Sequence, residues 1–179
     1  TAAWWNWERW QQELDYMAMN AINMPLFSVG LDGVWYNTLL RFNFTEEEAR
    51  AFLTGPGHSA WQWMQNIQSY GGPLPKSVID KHVALGKKIL ARQLELGMQP
   101  IQQGFSGYVP RELQKKYPQA KISMKRKWCG FDGTAQLDPT DPLFHEMGLA
   151  FLEEQDKLFG SYGAYAADPF HESAPPVDT

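Results

Sequence analysis

Cysteine is almost missing from this chain. Cys129 is the single one in 179 residues, so no internal disulfide forms and a cysteine-stapled scaffold is excluded. Long apolar runs are missing too. Nothing approaches the roughly 18 residues of a membrane span, and no signal-peptide pattern is present. An excess of positive charge is also lacking, since 16 Lys and Arg stand against 20 Asp and Glu for a net charge of −4. Nucleic acid draws its protein partners through clustered cations, so that partner class is set aside, as is a membrane. His58, His82, His145 and His171 lie far apart, and none falls in a ligand pair such as H-E-x-x-H. No metal is therefore expected, and without a glycine-rich phosphate loop no cofactor either. Repeats and low-complexity tracts do not occur, and Thr1 in place of methionine suggests a processed or excised chain. What the sequence has in quantity is aromatic side chains: 14% of residues, with 8 Trp, 7 Tyr and 10 Phe. Hydrophobic residues at 44% against 20% charged give enough burial to outweigh chain entropy, so the chain reads as globular.

Pro and Gly clusters at residues 54–57, 71–75 and 138–142 divide the chain into elements. Residues 4–20 have the spacing of an amphipathic helix with Trp7, Trp10, Leu14 and Met17 on one stripe. Residues 21–29 are short and apolar and predict a buried strand. A helix follows over 32–42. Thr45 and Glu48 have capping-box spacing for a short helix to Leu53. Residues 77–96 predict a longer helix, with Val78, His82, Leu85 and Ile89 as its stripe and Gly97 as its stop. Residues 98–105 suggest a weaker strand, and Pro110 a helix ending near Pro118. Asp141-Pro142 opens a helix with Phe144, Met147 and Phe151 buried and Gly160 as its stop; residues 162–168 read as a further strand. The basic stretch 121–127 reads as a solvated face. Strands separated by helical stretches predict an α/β fold with a parallel sheet, and ligands bind at the carboxyl ends of such strands. Function is thus expected just after Val29, Phe105 and Asp168.

The last of these places holds Asp168, Pro169, Phe170, His171 and Glu172. A carboxylate there suits acid/base work, and burial against aromatic surface would raise its pKa toward a proton-donating form. A solvent-facing loop acid is the competing reading. His171 either contacts a substrate hydroxyl, orients the acid, or is satisfied by backbone. Trp61, Trp63 and Met64 follow a loop, and Trp128 lies in KRKWCGF. Indole faces stack on the C–H faces of sugars, so tryptophans near an acid suggest carbohydrate, with core packing as the alternative for each. Cys129 with a histidine and an acid would make a thiol nucleophile, but this is one of many possible three-residue sets and nothing in its neighbourhood marks it. Asn43-Phe44-Thr45 is a glycosylation sequon by pattern, but the helix cap at Thr45 is the stronger physical reading.

Taken in order, WWNWERWQQELDYMAMNAINMPL, TGPGHSAWQWMQN, GGPLP, GYVP and YGAYAADPFHESAPP resemble glycoside hydrolase family 89, the α-N-acetylglucosaminidases. The resemblance spans nearly the whole chain. It implies a (β/α)8 TIM-type barrel, of which this chain holds strands two to four with their helices. Strand one and the later strands would come from the rest of the same chain or from another. It also implies a retaining exo-hydrolase that removes terminal α-linked N-acetylglucosamine from glycans. By motif match Glu172 is the general acid/base, and Trp61, Met64 and Trp128 fall on sugar-pocket positions. His171 stands where the family has asparagine, a departure that bears on the contact near the sugar's C2 substituent; Tyr108 replaces a histidine in G-H-V-P. A retaining enzyme needs a second carboxylate roughly 5 Å from the first. In the family this is a glutamate on a later strand, so the nucleophile is expected outside these residues. A secreted, periplasmic or lysosomal setting is what the family implies. A non-catalytic carbohydrate-binding protein and an inactive barrel segment remain as alternatives.

Overall fold

The structure is a computed structural model that describes residues 2–175. Thr1, and Pro176 at the end of the last family motif, lie outside the described residues.

Helix α1 (Trp7–Met19) starts where Asn6 accepts the Arg9 N–H at 3.0 Å, later than the predicted start; Ala2–Trp4 instead form a 3-10 turn. Leu14 is buried and Trp7, Trp10 and Met17 pack beside it, as the stripe predicts. α2 (Leu31–Arg41) follows Gly30, whose φ of +93° turns the chain into the helix. A side chain at Gly30 would meet the Phe159 ring at 2.6 Å. α3 (Glu46–Phe52) begins in the predicted capping box. Glu48 N–H donates to Thr45 at 3.2 Å, and Thr45 N–H donates back to the Glu48 carboxylate at 2.7 Å. The Lys116 ammonium bonded to Glu48 holds that carboxyl below its ordinary range. α4 (Ser59–Trp63) is short, and α5 (Lys76–Glu95) runs before Gly97.

Strands β1 (Gln102–Gln103) and β2 (Tyr108–Val109) follow. The helix expected from Pro110 shrinks to α6 (Leu113–Lys116). The Pro110 carbonyl accepts the Leu113 N–H at 3.0 Å in a turn that precedes α6. After β3 (Ile122–Met124) and β4 (Ala135–Leu137) comes α7 (Pro142–Phe159). Asp141 caps α7 through the Leu143 N–H at 2.9 Å and also accepts the Lys121 N–H at 2.7 Å. Both bonds favour the ionised form and hold its carboxyl below the usual range. Strand β5 (Tyr165–Ala166) closes the order.

The parallel sheet runs in chain order. The 23–27 segment bridges Ile101 through Leu26, and β1 pairs with β5 in register Gln102 with Tyr165 and Gln103 with Ala166. The strand expected over 21–29 is thus a brief paired stretch, and it is buried on one face only. Pro25 and Phe27 point into the helical layer, while Met24 and Leu26 are 58% and 57% exposed. Alternation is the rule for a strand covered on one side, and among the described residues helices cover one side here.

On the covered side α2, α5 and α7 pack against one another, and Trp35 of α2 is buried in the core toward α7. Its ring lies 5.0 Å from Phe151, 5.4 Å from Phe52, 5.8 Å from Tyr108 and 6.2 Å from Phe105. Among the described residues no helix is long and apolar enough to cross a membrane.

The connection from β1 to α7 holds a feature the sequence reading missed, an antiparallel sheet in the order β2, β4, β3. It also corrects the basic stretch. Arg126 and Lys127 are solvated, but Lys125 is half-buried, because β3 delivers it against the turn that follows β5.

Candidate active site

Three connections meet on one face: the 53–75 loop, the hairpin beyond β3, and the 168–172 turn after β5. Gln62 fixes the first. Its buried amide donates to Phe52 O at 3.0 Å and to the Tyr108 hydroxyl at 3.3 Å, and its oxygen accepts the Thr54 N–H at 2.8 Å. With Gln62 held inward, Trp63 packs on the core, and its neighbour Trp61 on α4 is exposed.

Trp128 stands at one end of a two-residue hairpin. It exchanges backbone hydrogen bonds with Phe131 at 3.0 and 2.8 Å, across Cys129 and Gly130 with φ of +47° and +85°. Positive φ at both central residues matches the right-handed twist of the flanking strands. The Trp128 ring lies 5.2 Å from Trp61 on one side and stacks with Phe131 at 6.3 Å. Tyr70 and His58 extend the wall through Phe131, at 4.7 and 6.3 Å.

Glu172 faces this wall. Trp128 Nε1–H donates to its carboxylate at 3.0 Å. Its backbone φ of +48° is a left-handed conformation that a non-glycine residue adopts at some cost, which is common where geometry serves function. His171 Nδ1 lies 2.9 Å from the Asp168 carboxylate, and Asn66 donates to His171 O at 2.9 Å. The structure therefore brings together Trp61, Trp128 and Glu172, with His171 beside them bound to Asp168. Met64 ends α4, half-buried, two residues before the Asn66 that grips this turn.

Burial of the acid is not found. Glu172 is exposed and the Asp168 side chain is 64% exposed, because the turn rises off the end of β5 with nothing above it among the described residues. Tyr108 turns out to be a packing residue. It is buried, donates its hydroxyl to Ile67 O at 2.8 Å, and burial pushes its phenol far up. No group of three or more His, Cys, Asp or Glu converges for a metal ion among the described residues.

The end of the 23–27 segment leads elsewhere. Asp32 and His82 meet there at 2.6 Å, and this hydrogen bond holds the imidazole above its ordinary pKa. Both line a recess of about 650 Å³ that includes Trp5, Trp10 and Trp63 but none of Trp61, Trp128 or Glu172. The site face is open. Lys125 was hidden from sequence reading by its basic neighbours, and His58, Tyr70 and Phe131 by their distance along the chain.

Parallel strands joined by helices, with polar and aromatic side chains gathered beyond one strand end, place the chain among α/β proteins that carry a site at the carboxyl ends of their strands. Over residues 1–179 the chain matches the family model described as the alpha-N-acetylglucosaminidase (NAGLU) tim-barrel domain, and it belongs to that family. It is 36% identical over 177 residues to alpha-N-acetylglucosaminidase of Homo sapiens, a match covering 97% of this chain and 24% of that protein. It also superimposes on the family 89 glycoside hydrolase of Clostridium perfringens. The complex of that enzyme with PUGNAc gives a TM-score of 0.93 at 34% identity, covering 100% of this chain and 21% of that one. A substituted form of the same enzyme, in complex with its substrate GlcNAc-alpha-1,4-galactose, gives 0.92 at 34% identity with the same coverage. The chain thus spans about a quarter of the length of its curated relative.

Proposed function

We propose that these residues are the acid/base-bearing part of a retaining exo-α-N-acetylglucosaminidase. The observation that carries the reading is the contact between the Trp128 indole and the Glu172 carboxylate, with the Trp61 ring tilted against Trp128 at 5.2 Å. A carboxylate beside an aromatic sugar wall can protonate the glycosidic oxygen as the bond breaks, then take a proton from the water that attacks in the second step. The indole N–H holds the carboxylate in place without competing for the proton it gives. Trp61 and Trp128 offer ring faces to the sugar, Met64 lies on the loop that bears them, and His171 stands toward the C2 substituent, oriented by Asp168.

The strands are barrel strands two, three and four. The nucleophilic carboxylate comes from a later strand, in the part of the relatives' length that this chain does not span. The openness of the site and the bare face bearing Met24 and Leu26 support this, since both call for the rest of a barrel, from the same or another chain. The partner is a glycan ending in α-linked N-acetylglucosamine, and neither nucleic acid nor a membrane is needed. The setting is secreted, periplasmic or lysosomal.

The test is an NMR time course of the full-length polypeptide with a GlcNAc-α-linked disaccharide. Release of the α-anomer first is expected. Binding without hydrolysis would favour a carbohydrate-binding protein, and release of the β-anomer first would contradict a retaining mechanism.

A further inference from the structure

Lys125 is fixed at its root by the antiparallel sheet. Its N–H donates to Thr134 O at 2.9 Å. Opposite it stands Gly133, where a Cβ would come within 1.7 Å of the Lys125 carbonyl, so only glycine lets the two strands approach this closely. The side chain then crosses to the 168–172 turn. Its ammonium donates to Pro169 O and lies 5.4 Å from the centre of the Phe170 ring. Three residues further along the same stretch, Trp128 donates to Glu172. The stretch from 125 to 128 therefore grips the turn at two points.

A turn that holds Glu172 at φ +48° persists only where its surroundings over-determine it. An apolar side chain would fill this place without the cost of burying an ammonium, so the charge is not there for packing.

We propose that Lys125 is a positioning residue for Glu172: its ammonium, bonded to the Pro169 carbonyl, sets the turn so that the carboxylate faces the sugar wall. The proposal rests on Glu172 being the acid/base. Activity then follows the charge on Lys125. Burial pushes that charge's pKa down to about 8, against the opposing pull of Asp168. Asp168 is the charged group facing the ammonium from the turn, and it also bonds His171. Arg126 and Lys127 follow on the same stretch, and Lys127 is paired with Asp132 at 3.3 Å. The ammonium is intact below pH 8 and its charge is lost above, so the turn loosens on the alkaline side.

The experiment measures kcat and KM of the full-length polypeptide on an α-N-acetylglucosaminide with a poor leaving group, from neutral into alkaline pH. Wild type is expected to lose kcat through an alkaline limb with a step near pH 8, additional to the loss of the proton that Glu172 itself must donate. Lys125→Met should lower kcat about tenfold with KM little changed, and should lack that step. Lys125→Arg should restore kcat and move the step upward, because a guanidinium stays charged. If Lys125→Met does not fold, Lys125→Arg decides alone. A wild-type profile without a step near pH 8, an unmoved step in Lys125→Arg, or an unchanged kcat in a folded Lys125→Met would overturn the proposal. Glu172→Gln, assayed in parallel, separates the two ideas. Its loss of activity with no Lys125 effect defeats the positioning role alone, whereas its full activity removes the acid reading and the positioning role with it.

Discussion

Trp35 and Trp128 show how differently the two halves of this molecule are held. Trp35, 5% exposed, lies among Phe52, Phe105, Tyr108 and Phe151 where α2 and α7 meet the sheet. Trp128 is half-buried at a hairpin tip, with Trp61 and Phe131 beside it and its N–H spent on Glu172. The first is held by many small dispersion contacts, whose loss is felt in stability. The second depends on a few directional contacts, whose loss is felt at the carboxylate they orient.

That contrast breaks most readily at the core. Trp35→Ala in the full-length polypeptide should cost about 3–5 kcal/mol in denaturant unfolding, the range for deleting a large buried ring. A smaller effect is expected at the rim. Trp128→Phe keeps an aromatic face and removes the N–H. Stability should stay within about 0.5 kcal/mol, while kcat/KM on the glycan falls about tenfold. An unfolding midpoint that drops with Trp128→Phe as far as with Trp35→Ala would erase the distinction between core and rim.

The same contrast explains what could be read from the sequence. α3 and α7 were legible because their signals are local. The Thr45 and Glu48 capping box and the Asp141-Pro142 start each act within a few residues, and both stand in the structure. Strand order was legible from the alternation of elements. The antiparallel sheet was not, because its strands are two or three residues long, too short to show a period. Its hairpin turns on Cys129-Gly130, which lacks the usual asparagine or aspartate signal. Lys125 looked like its neighbours in a basic run, and only the fold distinguishes the lysine that crosses to Pro169 from those left in water. Glu172 was marked by strand order as a place and by family resemblance as a residue. The structure adds its contact with Trp128 and removes the expectation that the acid is buried.

The assignment of Glu172 as the acid meets its most direct test in leaving-group chemistry. Glu172→Gln in the full-length polypeptide is compared with wild type on two substrates, a GlcNAc-α-linked disaccharide and an activated aryl α-N-acetylglucosaminide. An acid that protonates the departing oxygen is needed by the sugar leaving group and hardly by the activated phenol. The disaccharide should therefore lose on the order of 10²–10⁴ in first-step rate, and the aryl glycoside far less. Equal losses on both substrates would contradict the assignment.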